Sequence, residues 1–69
     1  MTDTVKLNER IQASGLKKYY IASALGVAES TLSRKINNAQ EFLASEINAL
    51  CALLGINTLE EKEAIFFAS

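Results

Sequence analysis

Hydrophobic residues recur every three to four positions in five stretches of the chain, and short polar or glycine-containing segments separate these stretches. Such spacing is typical of the buried face of an amphipathic helix. It predicts helices at residues 4–14, 17–25, 29–37, 44–54 and 59–67. Gly15 and Gly55 follow the first and fourth stretches, where a glycine commonly ends a helix. We therefore expect an all-α fold, in which residues 1–69 form one domain that is a compact bundle of five helices.

The fourth predicted helix has the clearest inward face. Its spacing i, i+3, i+4, i+7 is formed by Ile47, Leu50, Cys51 and Leu54. Because Cys51 lies on this face, we interpret it as a small buried hydrophobic residue and not as a reactive thiol.

The fifth predicted helix is more apolar than its length requires. Leu59 and Phe66 share one face, while Ile65 and Phe67 flank that face on either side. One interpretation is that Ile65, Phe66 and Phe67 form a homodimer interface, since surplus apolar surface often marks a contact with a partner. The other is that all four residues cover a small core. Both interpretations stay open here, and a weak homodimer is our prediction.

Residues 18–36 have the pattern of two short helices joined by a tight turn. Ala22 is small, as is needed where two helices cross closely, and Gly26 follows four residues later, where the chain must reverse. Leu32 lies six residues further, where it can reach back to the first helix of the pair. A small residue, a glycine and a large aliphatic residue at these offsets predict a helix-turn-helix, whose second helix can enter a DNA major groove.

The segment ALGVAESTLSRKINN resembles the LGVSxSTLSRxxNG stretch of the phage repressor and Cro type of helix-turn-helix, the XRE-like family. The resemblance covers about residues 16–56, and the tail LEEKEAIFFA resembles the last helix of small phage-encoded members. It implies a repressor-type DNA-binding domain that binds a double-stranded DNA operator. A transcriptional regulator of a phage or prophage, either a repressor or a Cro-like partner, is the expected setting.

The exposed side of the third predicted helix carries the residues that we expect to contact bases. At 100° per residue, its polar side chains fall opposite the inward pair Leu32 and Ile36. Arg34 can donate two hydrogen bonds to guanine O6 and N7, the commonest specific contact. The predicted base-contacting residues are Glu29, Ser30, Ser33 and Arg34. For Glu29 an alternative stays open, in which its carboxylate only complements the helix dipole.

A second group of residues is expected to contact phosphates. Lys17 and Lys18 lie in the first turn of the second predicted helix, where backbone amides and the helix dipole both favour an anion. The family often has Gln at the position of Lys18, where it contacts the DNA backbone. The predicted phosphate-contacting residues are Lys17, Lys18, Lys35, Asn37 and Gln40.

The chain departs from the family pattern at four positions. Ala28 occupies the N-cap position of the third helix, where Ser or Thr is usual, so a capping bond is missing. Lys35 stands where the family often has an apolar residue, and we expect Ile36 to supply that packing. Asn38 replaces a glycine, and Asn tolerates the left-handed conformation better than most residues. The family often pairs Arg10 with an acid on the third helix, but Ile36 occupies that place.

The distribution of charge matters more here than its total. The formal net charge is −1, whereas the usual DNA-binding domain is basic. Residues 1–40 hold six Lys and Arg against three Asp and Glu, a balance of +3, and residues 41–69 hold one Lys against five Glu, a balance of −4. The positive half contains the helix-turn-helix, and a phosphate responds to the local field. The alternative is an ordinary solvated surface.

The composition excludes several kinds of chemistry. The chain has no His and one Cys, so imidazole catalysis, a Cys–His nucleophile and a Cys or His metal site are ruled out. We expect no enzyme, no cofactor and no small-molecule substrate. A lone Cys cannot form an internal disulfide, and no apolar run approaches the ~20 residues of a membrane span, so a cytoplasmic location without a membrane partner is expected.

A second function remains open at this point. The acidic C-terminal half and the missing N-cap Ser also fit a protein-interaction module, or an antitoxin-like subunit, that keeps the fold but binds little DNA. Lys17, Lys18 and Arg34 separate the two functions, because only a DNA-binding protein needs all three of these charges.

Overall fold

The computed structural model describes residues 1–69 and consists of five helices joined by short turns. They are α1 (Thr4–Ser14), α2 (Lys18–Leu25), α3 (Glu29–Ile36), α4 (Ala44–Leu54) and α5 (Leu59–Phe66). Each helix begins and ends within one residue of the predicted bounds, and there is no strand. The all-α, five-helix prediction is confirmed.

One hydrophobic cluster holds the helices together. Helix α2 packs against α3 and α4, and α1 packs against α3, α4 and α5. The twelve buried residues of the cluster are Leu7, Ile11, Ile21, Ala22, Leu32, Ile36, Ile47, Leu50, Leu54, Ile56, Ile65 and Phe66. Within α1, α3 and α4 consecutive members lie three or four residues apart, so each of these helices contributes one stripe to the core.

The turn between α2 and α3 has the backbone that the sequence predicts. Gly26 has φ +74°, and its N–H donates to the carbonyls of Ala22 and Ser23, which closes the last turn of α2. A side chain at this left-handed φ would be strained. Ala22 is only 2% exposed and Leu32 is fully buried. The helix-turn-helix is therefore held by the small residue, the glycine and the inward leucine that its pattern specified.

Asn38 ends the turn after α3 and ties it to the N-terminal segment. Its φ is +65°, the only positive φ of a non-glycine residue. Its side-chain amide donates to the Thr2 carbonyl and its side-chain oxygen accepts from the Thr2 N–H, both at 2.8 Å. The hydroxyl of Thr4 also donates to the carbonyl of Ile36. The end of α3 is thus fixed to the start of the chain by three hydrogen bonds.

Helix α5 faces the core with Ile65 and Phe66 and leaves Leu59 exposed. Leu59 is 64% exposed, whereas Ile65 and Phe66 are 2% and 4% exposed. Phe66 packs edge-on against Phe42, with ring centroids 5.6 Å apart. The assignment of Ile65 and Phe66 to a dimer interface is therefore wrong, because both side chains are buried in the core of the single chain. Phe67 stays 59% exposed.

The ion pair of Arg10 bridges α1 to the C-terminal helix. Its Nε lies 3.3 Å from Glu61 Oε2, and its Nη2 donates to the carbonyl of Leu54 at the end of α4. The third helix supplies no acid to Arg10, as the presence of Ile36 led us to expect. Cys51 is half-buried against the core, and burial raises the pKa of its thiol.

None of the five helices combines the length and the apolar composition that crossing a membrane requires.

Candidate nucleic-acid interface

Helix α3 has one buried side and one solvent-facing polar side. Leu32, Lys35 and Ile36 are the buried residues of the helix. On the opposite side Ser30 and Arg34 are both exposed. The helix therefore presents short polar side chains and one long cation outward, while its apolar side chains fix it to α1 and α2. Short side chains let a helix backbone approach the floor of a groove closely.

The guanidinium of Arg34 is held by two neighbours at this surface. Its Nη2 donates to Thr31 Oγ1 at 3.1 Å, and its Nε donates a longer hydrogen bond, of 3.4 Å, to Gln40 Oε1. Arginine carries five N–H donors, so the Nη1 group and one N–H of Nη2 remain free. The group is thus oriented by the protein and still has the pair of donors that a guanine edge needs.

The other predicted base-contacting residues differ in how far they are exposed to solvent. Glu29 and Ser30 are exposed at the start of α3, and Ser33 is half-buried. Glu29 is the acidic residue in the first turn of the helix. All of these residues and Arg34 lie on one helix of eight residues, so α3 does bring the four predicted residues together.

The start of α2 combines two exposed lysines with free backbone amides. Lys17 is the N-cap residue, has an extended backbone and makes no capping hydrogen bond, and Lys18 begins the helix. The first amides of any helix lack intrahelical acceptors, and no side chain supplies one here. Positive side chains and outward N–H groups together make this end of α2 suited to an anion such as a phosphate.

The loop after α3 contributes two further polar residues to the same side. Asn37 is exposed, and its side-chain amide donates to the carbonyl of Ser33 at 2.9 Å. Gln40 is exposed as well, and its side-chain oxygen accepts a hydrogen bond from Arg34. Both residues follow directly from the end of α3, so they extend its polar face towards the loop.

Lys35 was assigned to phosphate binding, and this assignment is wrong. The residue is 4% exposed, and its Nζ donates to Glu46 Oε1 at 2.5 Å. The same carboxylate oxygen accepts from the Leu43 N–H at the start of α4, at 2.8 Å. Burial by itself raises the pKa of Glu46, but the hydrogen bonds from Lys35 and Leu43 and the charge of Lys35 lower it below its ordinary value.

The sequence did carry a signal for this buried pair. Lys35 lies three residues after Leu32, which places it beside the inward stripe of α3. Glu46 likewise precedes Ile47, at the edge of the inward stripe of α4. Lys35 and Glu46 thus carry opposite charges, lie 11 residues apart and each flank an apolar stripe. Two such residues are a candidate for an internal ion pair. The sequence analysis also missed that Thr31 accepts a hydrogen bond from Arg34, although residues i and i+3 on a helix are neighbours.

Comparison with known families bears on this surface directly. A family model described as the Cro/C1-type HTH DNA-binding domain matches residues 6–61. The matched range contains α2, α3 and α4 in full, and most of α1. No curated protein and no solved structure matches the chain.

Proposed function

This chain belongs to the Cro/C1-type helix-turn-helix family of DNA-binding domains, and from that premise we propose that it is a transcriptional regulator with a specific operator. The observation that carries the proposal is the position of Arg34, an oriented guanidinium on the exposed polar side of a helix whose other side is buried. In the proposed complex α3 lies in the major groove of double-stranded DNA, and no catalytic step is involved.

Base recognition rests on α3. Arg34 donates to O6 and N7 of a guanine, and Ser30 and Ser33 exchange hydrogen bonds with neighbouring base edges. Glu29 accepts from the N4 amino group of a cytosine. A bidentate arginine contact discriminates against a wrong base pair by about 1–3 kcal/mol, so Arg34 supplies the largest part of the specificity.

Phosphate contacts flank α3 on both sides. Lys17 and Lys18 approach one phosphate from the start of α2, and Asn37 and Gln40 approach another from the loop after α3. These contacts position the helix and carry no sequence information themselves. Because only two lysines take part, we expect modest affinity and a shallow dependence on salt concentration.

A weak homodimer through the surface around Phe67 belongs to the same proposal. Two adjoining cavities share Phe42, Ile47 and Phe67, and Glu41 lines one of them while Lys62 lines the other. A two-fold axis makes residue i meet residue j and residue j meet residue i. Phe67 then packs on the same apolar surface of the partner, and each Glu41 faces a Lys62. The operator is accordingly a near-palindrome with half-sites about 34 Å apart.

A phage or prophage regulator of the repressor or Cro-like kind, acting in the cytoplasm, is the biological role that we propose. Selection of bound sequences from a pool of random duplexes tests it, because the pool requires no knowledge of the operator. We expect recovery of a defined sequence that contains a guanine essential for binding, repeated with two-fold symmetry.

Two substitutions assign the roles within this surface. We expect Arg34→Ala to remove the preference for the recovered sequence, at a loss of about tenfold or more. Lys18→Ala should weaken binding to all duplexes alike and lower the salt slope by about 1. Lys6→Ala, an equal change of charge on the exposed side of α1, is the control and should change neither quantity. If the chain binds no duplex at low salt, the protein-interaction module replaces this proposal.

Sedimentation equilibrium at high micromolar concentration tests the proposed dimer separately from DNA binding. Phe67→Ser should abolish self-association, whereas Leu59→Ser, at a similarly exposed apolar residue at the start of α5, should not. A chain that stays monomeric at these concentrations without DNA contradicts the dimer but leaves the contacts of α3 intact.

A further inference from the structure

We infer that Lys35 and Glu46 are positioning residues for DNA recognition, which hold the loop after α3 so that Gln40 orients Arg34. The inference rests on the proposed role of Arg34 in reading a base. Neither Lys35 nor Glu46 can touch DNA, since their side chains are 5% and 8% exposed. Their effect on recognition must therefore pass through other residues.

The bridge closes the loop between the two helices at its base. Lys35 is in the last turn of α3, and Glu46 is in the first turn of α4. Since Glu46 Oε1 accepts from both Lys35 Nζ and the Leu43 N–H, one oxygen atom fixes the end of α3 relative to the start of α4. Each of the two contacts is directional, and a hydrophobic contact of the same size is not.

Other contacts anchor only the two ends of the loop: the Asn38 side chain is hydrogen-bonded to Thr2, and the Phe42 ring packs against Phe66. At its start, the Asn38 N–H donates to the Lys35 carbonyl and the Ala39 N–H donates to the Arg34 carbonyl. The backbone amides of residues 40–42 donate no hydrogen bond within the chain. The position of Gln40 therefore depends on the two anchored ends of the loop, and the Lys35–Glu46 bridge sets one end against the other.

Gln40 transmits this geometry to the proposed reading residue. Its Oε1 faces Arg34 Nε at 3.4 Å, which leaves the opposite edge of the guanidinium for a base. Without Gln40, only Thr31 constrains the guanidinium, and Arg34 gains freedom that it must lose again on binding. The path from Glu46 to Lys35, through the loop to Gln40 and then to Arg34, consists of contacts that substitutions can interrupt one at a time.

Energetics favour a positioning role over a stabilising one. A buried ion pair is costly to desolvate, and replacing both partners by residues of similar volume without charge is often neutral for stability. The double substitution Lys35→Met and Glu46→Gln uses this fact. Methionine fills the volume of the lysine, and the glutamine keeps an oxygen that can accept from the Leu43 N–H, so the start of α4 stays capped.

The experiment compares two duplexes, one recovered from a random pool and the same duplex with the essential guanine replaced. The ratio of the two dissociation constants measures discrimination, and thermal denaturation monitors the fold. For the double variant we expect about tenfold less discrimination with unchanged binding to the replaced duplex. Gln40→Ala should lower discrimination by the same factor, and it should also weaken binding to both duplexes alike because Gln40 contacts a phosphate. Combining all three substitutions should lower discrimination no further, because they interrupt one path.

Glu61→Gln is the control, since it removes the other ion pair of the chain without touching α3. It should leave discrimination unchanged. Full discrimination in a folded double variant overturns the inference, as does a triple variant in which the losses multiply. If the double variant does not fold, Gln40→Ala, at an exposed residue, is measured alone, and an unchanged ratio has the same consequence. A wild-type protein without discrimination contradicts the proposed function itself and is recognised before any variant is made.

Discussion

Residues 1–40 and residues 41–69 carry opposite charge, and the structure uses part of this charge inside the molecule. Both ion pairs join a cation of the first region to an acid of the second, Lys35 to Glu46 and Arg10 to Glu61. With these pairs set aside, the first region holds four cations against three acids and the second holds one against three. The excess of +3 thus falls to +1. A segregated charge pattern along a sequence therefore indicates internal ion pairs as much as a charged binding partner.

The two ion pairs also differ from each other in burial. The side chains of Lys35 and Glu46 are 5% and 8% exposed, whereas those of Arg10 and Glu61 are 33% and 36% exposed. Arg10 Nε approaches the carboxylate without making a hydrogen bond. Solvent screens a pair of this kind, so its contribution to stability is small. The buried bridge between α3 and α4 is therefore the more consequential of the two.

The largest expected effect comes from breaking the buried pair on one side only. Lys35→Met leaves the Glu46 carboxylate buried without its cation, and we expect a loss of about 3 kcal/mol in the free energy of unfolding. Urea denaturation followed by circular dichroism measures it. Lys17→Met, at an exposed lysine, should stay within about 0.5 kcal/mol of the wild type. A loss below about 1 kcal/mol for Lys35→Met would show that the carboxylate reaches water.

Acid should weaken the same bridge by a smaller and gradual amount. Interactions with Lys35 and Leu43 hold the pKa of Glu46 in the folded chain below its ordinary value of 4.5, although burial opposes them. Because the unfolded chain takes up the proton first, stability from this group is complete above about pH 4.5 and is lost as the pH falls through the folded pKa. Thermal denaturation between pH 7 and pH 3 should therefore show a shallower decline for Glu46→Gln. Parallel declines would contradict this.

The helices were predictable because their signals are local. Each inward stripe and each stop residue lies within one stretch of sequence, so the bounds of all five helices agree within one residue. The exposed face of α3 followed from the same periodicity. These features depend on backbone geometry and on which side of one helix is apolar, and neither requires knowledge of the neighbouring helices.

The errors concern residues whose environment depends on a distant partner. Lys35 is buried only because Glu46, 11 residues away, supplies the opposite charge. Without that partner a lysine belongs on the surface, which is where the sequence alone placed it. For α5 the apolar residues nearly surround a helix of eight residues, so periodicity could not choose between Leu59 and Ile65. Packing against α1 made that choice.

The smallest expected effect tests how the two regions begin their helices. In residues 41–69, the hydroxyl of Thr58 accepts from the Glu61 N–H and caps α5, whereas α3 begins at Ala28 without a side-chain cap. Thr58→Ala should lower the free energy of unfolding by about 1 kcal/mol, and Ala28→Ser should raise it by about 0.5–1 kcal/mol. Urea denaturation measures both. An Ala28→Ser variant without any gain would mean that the added hydroxyl does not reach the first amides of α3. The first amides of that helix would then find their hydrogen-bond partners only in solvent.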